Sequence, residues 1–249
     1  MLKIAVLVSG GGTNLQALLD AQASGVLHSG AISLVLSSKK DAFALERARR
    51  SGVETAILPK LAGESPDAYG LRLLSVLKAH GITLVVLAGF MLILDACVIR
   101  AYEGRILNVH PSLIPAFCGE GYYGLRVHKA ALERGVKITG ATVHLVNEIA
   151  DGGPILAQKA VPVLDGDTPE ALQQRVMEQA EWLLLPQETE ALAAKLAGAG
   201  TGTGRDGDDS RDVGRLRLPN PPARALPLTL YEYHMHDCFT LPDDCLTLA

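Results

Sequence analysis

The sequence has few cysteines, no long hydrophobic run and no excess of basic residues. Its four cysteines are irregularly spaced, which argues against a disulfide framework and predicts reduced thiols in a cytoplasmic protein. No apolar run reaches the roughly 18 residues of a transmembrane helix, so we expect no membrane partner. The net charge of -4 argues against a nucleic-acid-binding surface.

The first residues, MLKIAVLVSGGG, lack the charged n-region and the small-residue cleavage site of a signal peptide. We therefore expect a first β-strand here. The chain has 249 residues, of which 48% are hydrophobic. This is enough for one sizeable core plus a small appendage.

Apolar runs alternate with helical segments along most of the chain. Five of the runs are predicted strands, at 2–8, 31–38, 54–59, 82–90 and 105–110. Helices are predicted from Leu15, over 41–52 with Asp41 as N-cap, over 65–81 and over 128–135. Near-continuous apolar strands between helices are typical of a parallel sheet covered on both faces, which predicts an α/β fold.

The second half of the chain follows a different pattern. Residues 138–147 and 154–163 alternate in polarity and are predicted to pair antiparallel beyond the parallel strands. Residues 168–198 are predicted to be helical, with Thr168 as N-cap and a bend near Pro186.

The composition changes at Ala199, where Gly, Asp, Arg and Pro become abundant. We therefore predict one domain over 1–198 and a tail over 199–249. The tail contains four side chains of the types that bind zinc, namely His234, His236, Cys238 and Cys245. Their spacing matches no familiar zinc module, so a chance collection is favoured and no metal site is predicted.

The stretch SGGGTN, at residues 9–14, lies between the first predicted strand and the first helix. We call these residues the glycine loop. Successive glycines at a helix N-terminus can turn their N–H groups toward one anion, which indicates a phosphate site. Leu15 breaks the dinucleotide fingerprint and no lysine completes a Walker loop, so a monophosphate ester is favoured. The alternative is a tight turn without a ligand.

Asn108 and His110 stand two residues apart at the end of a predicted strand, so they project from the same face. Pro111 keeps His110 extended. An amide and an imidazole directed at one point make a plausible oxyanion site. Asp151 lies at a Gly-Gly-Pro turn, where it either bonds its own backbone or, beside His110, raises the imidazole pKa. Ordinary structural roles for these residues stay open.

Five segments then occur in one order: SGGGTNLQALLDA, VVLAGFMLIL, GRILNVHPSLIPAF, HKAALERGVKITGATVHLV and ADGGPILAQKAVPV. Together they closely resemble the phosphoribosylglycinamide formyltransferases, or glycinamide ribonucleotide transformylases, of the folate-dependent formyltransferase family. The resemblance covers about residues 1–195. The Asn-x-His-Pro-Ser-Leu motif and the Asp-Gly-Gly-Pro turn are shared by the wider group. The glycine loop narrows the resemblance to members whose acceptor carries a ribose phosphate.

The resemblance implies a Rossmann-like, mostly parallel sheet with helices on both faces, a C-terminal β extension and a long final helix. It implies 10-formyltetrahydrofolate as cosubstrate, no metal, and formyl transfer to the amine of glycinamide ribonucleotide in de novo purine (IMP) biosynthesis. The small molecules are then the partners of a monomer or homodimer. Asn108 is expected to donate to the tetrahedral oxyanion, a protonated His110 to stabilise it and move protons, and Asp151 to keep His110 charged and oriented.

The resemblance also assigns binding residues. Gly12, Thr13 and Asn14 correspond to the phosphate cradle, and Glu181 to the acid that binds the ribose hydroxyls, provided that one extra residue stands between Val176 and Glu181. Folate binding is assigned to Met91, Leu92, Ile93, Leu94, Ile149, Ala150 and Asn108.

Residues 118–124, CGEGYYG, form a longer and more aromatic segment than in some relatives, which could reshape the loop above the strand of Asn108 and His110. Two positions on the folate side also depart from the family pattern. Many members carry a basic residue at the positions of Leu92 and Pro66, and the change weakens expected contacts to the folate's glutamate tail. The alternatives left open are a formyltetrahydrofolate hydrolase, a formyltransferase acting on aminoacyl-tRNA or a nucleotide sugar, and a nucleotide-binding module without chemistry. The last leaves Asn108, His110 and Asp151 unexplained.

Overall fold

The computed structural model describes residues 1–199. Its strands are β1 (Leu2–Val8), β2 (Gly30–Ser37), β3 (Glu54–Ile57), β4 (Leu84–Leu87), β5 (Ile106–His110), β6 (Ile138–Leu145) and β7 (Ile155–Pro162). Its helices are α1 (Thr13–Ala23), α2 (Phe43–Arg50), α3 (Pro66–Ala79), α4 (Ala96–Ala101), α5 (Leu125–Arg134), α6 (Pro169–Val176) and α7 (Trp182–Ala199), with a π-helical turn (Met177–Glu181) between the last two.

The seven strands form one sheet in the order β3-β2-β1-β4-β5-β6-β7. β1 to β5 pair in parallel, whereas β6 and β7 pair antiparallel, as the sequence predicted. The strand order reverses between β1 and β4, and the carboxyl ends of strands beside such a switch point form the usual ligand crevice. Both the glycine loop and His110 lie at this edge of the sheet.

The central strands of the sheet are buried on both faces. In β1, Ile4, Val6 and Val8 pack into one apolar cluster, while Ala5 and Leu7 pack into the cluster on the opposite face. This alternation follows from the two-residue period of a strand and confirms helices on both faces. No helix within residues 1–199 is long and apolar enough to cross a membrane.

The start of α2 differs from the prediction. The N-cap is Ala42, which makes no side-chain capping bond, so the prediction of Asp41 as the cap was wrong. The reason is that Ala44 N–H donates to the Gly10 carbonyl at 3.1 Å. The glycine loop thus supplies the acceptor that a capping side chain normally provides.

The final helix also differs from the prediction. α7 runs through Pro186, and the departure from α-helical geometry lies earlier, in the π-helical turn. This turn ends directly before Trp182, which stands four residues ahead of Pro186, and Pro186 has no N–H to donate to the Trp182 carbonyl. Helix α4, capped by Asp95, was not predicted.

The predicted tail after residue 199 lies outside the described residues, and so do its four zinc-type side chains. The domain boundary at residue 198 stays a prediction.

The close pairing of β6 and β7 depends on Gly140. A Cβ atom at this position would stand 2.0 Å from the Lys159 carbonyl oxygen, which is backbone and cannot move aside. We expect Gly140→Ala to lower the free energy of unfolding by roughly 2–4 kcal/mol, measured by urea denaturation. Gly198→Ala in α7 is the control, because a Cβ atom added there would meet no heavy atom of residues 1–199 within 4 Å. Equal urea midpoints for both variants would contradict this account.

Candidate active site

Asn108 and His110 occupy the last positions of β5 and face the antiparallel strand β6. In the register of this pair, Asn108 lies opposite His144 and His110 lies opposite Thr142. The predicted projection of the two side chains from one face is therefore confirmed. His110 is only 4% exposed, so its ring is held inside the protein at the mouth of the crevice.

Both ring nitrogens of His110 face oxygen atoms. Nε2 lies 2.8 Å from the Phe117 carbonyl, and Nδ1 lies 3.4 Å from a carboxylate oxygen of Asp151. Burial lowers the pKa of His110 below its ordinary value, although the Asp151 charge and the Phe117 carbonyl act in the opposite direction. The Asp151 carboxylate thus acts on the His110 pKa in the predicted direction but offsets burial only in part.

Asp151 reaches the site from a turn in the left-handed backbone conformation, with φ 53°. Its carboxylate accepts hydrogen bonds from Gly119 N–H at 2.8 Å and from Asn108 Nδ2 at 3.4 Å. Burial by itself raises the pKa of Asp151, but contact with His144, the Gly119 amide and the charge of His110 outweigh it and hold the pKa below its ordinary value. The predicted meeting of Asp151 with Asn108 and His110 is thus present.

A fourth side chain, His144, belongs to this cluster and was not predicted. Its Nε2 lies 3.1 Å from Asn108 Nδ2 and 3.6 Å from Asp151, and its Nδ1 lies 2.9 Å from the Leu145 carbonyl. Nδ1 therefore donates to Leu145, which leaves Nε2 to accept from Asn108. The only signal in the sequence was the alternation of residues 138–147, and this does not say which residue faces Asn108.

A cleft of about 310 Å³ opens beside this cluster. Its walls include every residue predicted to bind folate, namely Met91, Leu92, Ile93, Leu94, Ile149, Ala150 and Asn108. The opposite side is formed by Tyr122 and Tyr123, which were not among the predicted folate-binding residues. The cleft is within the size range of small-molecule sites.

The other predicted site residues gather at the N-terminus of α1. Gly12 has φ 73°, and a Cβ atom there would stand 2.6 Å from the Ala44 side chain, so only glycine fits. Asn14 Nδ2 donates to Glu181 at 2.6 Å, and Thr13 Oγ1 to Met177 Sδ at 3.6 Å. The structure therefore brings Glu181 to the glycine loop.

Glu181 is 6% exposed and has no cationic partner in the described part of the chain. Burial raises the pKa of its carboxyl to about 7, and the single bond from Asn14 offsets this only partly. Glu181 is the last residue of the π-helical turn. Because such a turn closes its hydrogen bonds one residue later than an α-helix does, it accommodates the extra residue expected between Val176 and Glu181.

The two groups of residues lie on the same edge of the sheet. The glycine loop follows β1 and His110 ends β5, with only β4 between them. Two strand spacings amount to about 10 Å, a length that one small molecule can span. The arrangement can hold an anion at one end of a ligand and transfer a proton at the other.

Comparison with known proteins identifies this architecture. The family model described as formyl transferase matches residues 2–188. The chain belongs to the formyl transferase family.

Individual formyl transferases are similar to this chain over most of its described residues. The phosphoribosylglycinamide formyltransferase of Escherichia coli (strain K12) is 43% identical over 178 residues, which are 72% of this chain and 81% of the relative. The chloroplastic enzyme of that name from Arabidopsis thaliana is 42% identical, over 71% of this chain and 61% of the relative. The chain thus spans about three fifths of that plant relative's length.

A solved structure agrees with this family membership. The glycinamide ribonucleotide transformylase 1 of Symbiobacterium toebii superposes with a TM-score of 0.73 at 44% identity, covering 78% of this chain and 89% of that one. The α/β formyl transferase fold predicted from the sequence is therefore confirmed, including the long final helix.

The buried Glu181 predicts an unusual dependence of stability on pH. The folded pKa of about 7 exceeds that of the unfolded carboxyl. The folded protein therefore binds more protons between about pH 4.5 and 7, and its stability falls as the pH rises through this window. We expect Glu181→Gln to be more stable than the wild type at pH 8, by roughly 2–3 kcal/mol, and similar to it near pH 4.5.

Urea unfolding at several pH values measures this effect. Glu178→Gln is the matched control, because Glu178 lies in the same π-helical turn but is exposed. It is expected to leave the pH dependence unchanged. A Glu181→Gln protein that is less stable than the wild type at pH 8 would show that the ionised carboxylate is well accommodated.

Proposed function

We propose that this formyl transferase moves the formyl group of 10-formyltetrahydrofolate to the amine of glycinamide ribonucleotide. The products are formylglycinamide ribonucleotide and tetrahydrofolate, in de novo purine biosynthesis. The proposal rests on one observation: Asp151 contacts both Asn108 and His110, beside the 310 Å³ cleft and at the same sheet edge as the glycine loop. The names of the similar proteins support the same acceptor.

The lowered pKa of His110 suits this ring to act as the base in the first proton transfer. As the amine attacks, a C–N bond forms and the formyl carbonyl becomes a tetrahedral oxyanion. His110 Nδ1 accepts the proton that the amine loses, and Asp151, 3.4 Å from Nδ1, stabilises the resulting imidazolium. The imidazolium then returns the proton to the folate nitrogen as its bond to the formyl carbon breaks. Protons and electron pairs balance over the two steps.

Asn108 is the proposed oxyanion donor. Its Nδ2 group donates to His144 at 3.1 Å and to Asp151 at 3.4 Å. The longer bond is the weaker one and can be exchanged for a bond to the oxyanion, while His144 keeps the amide oriented. We assign His144 a positioning role, since its contact is with Asn108.

The folate is proposed to bind in the 310 Å³ cleft. Residues Met91–Leu94 form one wall, and Met91 N–H is fixed by a 2.9 Å bond to Ser9 Oγ. The turn at Ile149 and Ala150 forms the other side. Leu92 and Pro66 offer no positive charge to the folate's glutamate tail. A longer tail is therefore expected to raise the affinity for folate only slightly.

The acceptor is proposed to bind across the sheet edge. In this proposal the N–H groups of Gly12, Thr13 and Asn14 donate to the phosphate of the acceptor, and Glu181 accepts hydrogen bonds from its ribose hydroxyls. Hydroxyl donors would replace the solvation that Glu181 lost on burial. We expect the protein to act in the cytoplasm, consistent with free thiols at Cys97 and Cys118. Monomer or homodimer stays a prediction.

Among the described residues, no group of three or more His, Cys, Asp or Glu side chains is arranged to hold a metal ion. The expectation of a metal-free reaction stays a prediction.

A spectroscopic assay for tetrahydrofolate release tests the proposal. Release is expected only when both 10-formyltetrahydrofolate and glycinamide ribonucleotide are present. Release without the acceptor would indicate a hydrolase, transfer to a different amine would indicate another formyltransferase, and no release with any acceptor would indicate a binding module.

In the same assay we expect His110→Ala to lower kcat by roughly 10²–10⁴-fold, and Asn108→Ala by roughly 10²–10³-fold. His28→Ala is the control, because this side chain is 70% exposed and lies outside the cleft. Because the base form of His110 is required, the wild-type kcat is expected to fall as the pH drops through the His110 pKa, which lies below the ordinary imidazole value of about 6.5. Near-normal turnover by His110→Ala would contradict the assignment.

A further inference from the structure

The three glycines of the loop share an unusual feature: each of their carbonyl groups is fixed. The donors are Ala44 N–H to Gly10 at 3.1 Å, Arg47 Nε to Gly11 at 2.9 Å, and Gln16 N–H to Gly12 at 2.9 Å. Two of these three donors belong to α2, which is not part of the predicted anion site. The orientation of the loop peptides is therefore determined largely by α2.

Fixing a carbonyl also fixes the N–H of the same peptide, which points the opposite way. The Gly11 carbonyl shares its peptide with the Gly12 N–H, one of the proposed phosphate donors. Within residues 1–199, the N–H groups of residues 11–14 have no hydrogen-bond acceptor. They are therefore free to bind a ligand, and the bond from Arg47 determines the direction of one of them.

Arg47 is itself held in place. Its Nη1 donates to Gln16 Oε1 at 3.0 Å, and its guanidinium lies over the Phe43 ring at 5.1 Å. No carboxylate among residues 1–199 forms an ion pair with it, whereas its neighbours Arg49 and Arg50 both pair with Glu46. The positive charge beside the glycine loop is thus not neutralised.

We propose that Arg47 is a positioning residue for the phosphate of the acceptor: its guanidinium holds the Gly11–Gly12 peptide so that the N–H faces the phosphate. This inference rests on the proposed function, because it concerns the same acceptor. It adds Arg47, which lies outside the glycine loop, to the residues on which phosphate binding depends. Both arms of the guanidinium fork are needed, since one holds the loop and the other the first turn of α1.

The test compares acceptors with and without the phosphate. We expect Arg47→Ala to raise KM for glycinamide ribonucleotide by about 10- to 100-fold, with kcat within about 3-fold of wild type and KM for 10-formyltetrahydrofolate unchanged. With the dephosphorylated acceptor, glycinamide riboside, wild type and Arg47→Ala are expected to have equal kcat/KM. Arg47→Lys keeps the charge but not the fork, so it is expected to retain most of the defect.

Arg49→Ala is the matched control, because it removes the same charge from the same helix away from the loop. It is expected to leave KM within about 2-fold, as exposed charges contribute little. The inference is overturned if Arg47→Ala weakens both acceptors equally, which indicates general damage to the fold. It is also overturned if Arg47→Lys behaves like the wild type, which indicates that a point charge suffices.

A binding measurement separates this inference from the proposed function. Ribose 5-phosphate is titrated into wild type, Arg47→Ala and Arg49→Ala by calorimetry. If no acceptor is turned over but Arg47→Ala alone binds ribose 5-phosphate about 10-fold or more weakly, the proposed reaction fails and the role of Arg47 stands. If turnover is normal and binding is unaffected by Arg47→Ala, the role of Arg47 fails and the reaction stands.

Discussion

The candidate site depends on the antiparallel pairing of β5 with β6. This register places Asn108 opposite His144 and His110 opposite Thr142. It thereby aligns the amide with one imidazole and leaves the other imidazole to face Asp151. Parallel strands alone would present Asn108 and His110 at the edge of the sheet without a second strand to orient the amide. The β extension is thus part of the candidate site and not only a cover for the sheet.

The ionisable groups of the site are all largely buried, but different contacts counteract the effect of burial on the pKa of each group. Asp151 receives an N–H from Gly119 and the charge of His110, so its pKa stays below its ordinary value. Glu181 receives only the amide of Asn14, so its pKa rises to about 7. For His110, burial outweighs the nearby carboxylate and lowers the pKa. One edge of the sheet therefore carries two acids whose pKa values are shifted in opposite directions and a base whose pKa is lowered.

Sequence patterns predicted most of this architecture, because apolar runs and the Asn-x-His-Pro spacing are local. Asn108 and His110 project together as the strand period requires. The features that the sequence did not predict depend on contacts between residues that are far apart in the chain. His144 joins the site through a strand register, Asp41 is displaced as a cap by the Gly10 carbonyl, and the π-helical turn absorbs a residue that a pattern of helix formers does not reveal. Arg47 lies in a helix that the sequence predicted, but its proposed role comes from contact with the glycine loop, which the sequence does not reveal.

The central claim is that His110 is a buried base whose pKa is held between desolvation and the charge of Asp151. An NMR titration of the His110 ring in the wild type and in Asp151→Asn tests it most directly. The account predicts a wild-type pKa below the ordinary value of about 6.5, and a still lower pKa in the variant, where burial acts without the carboxylate. A His110 pKa that is unchanged or higher in Asp151→Asn would contradict the account.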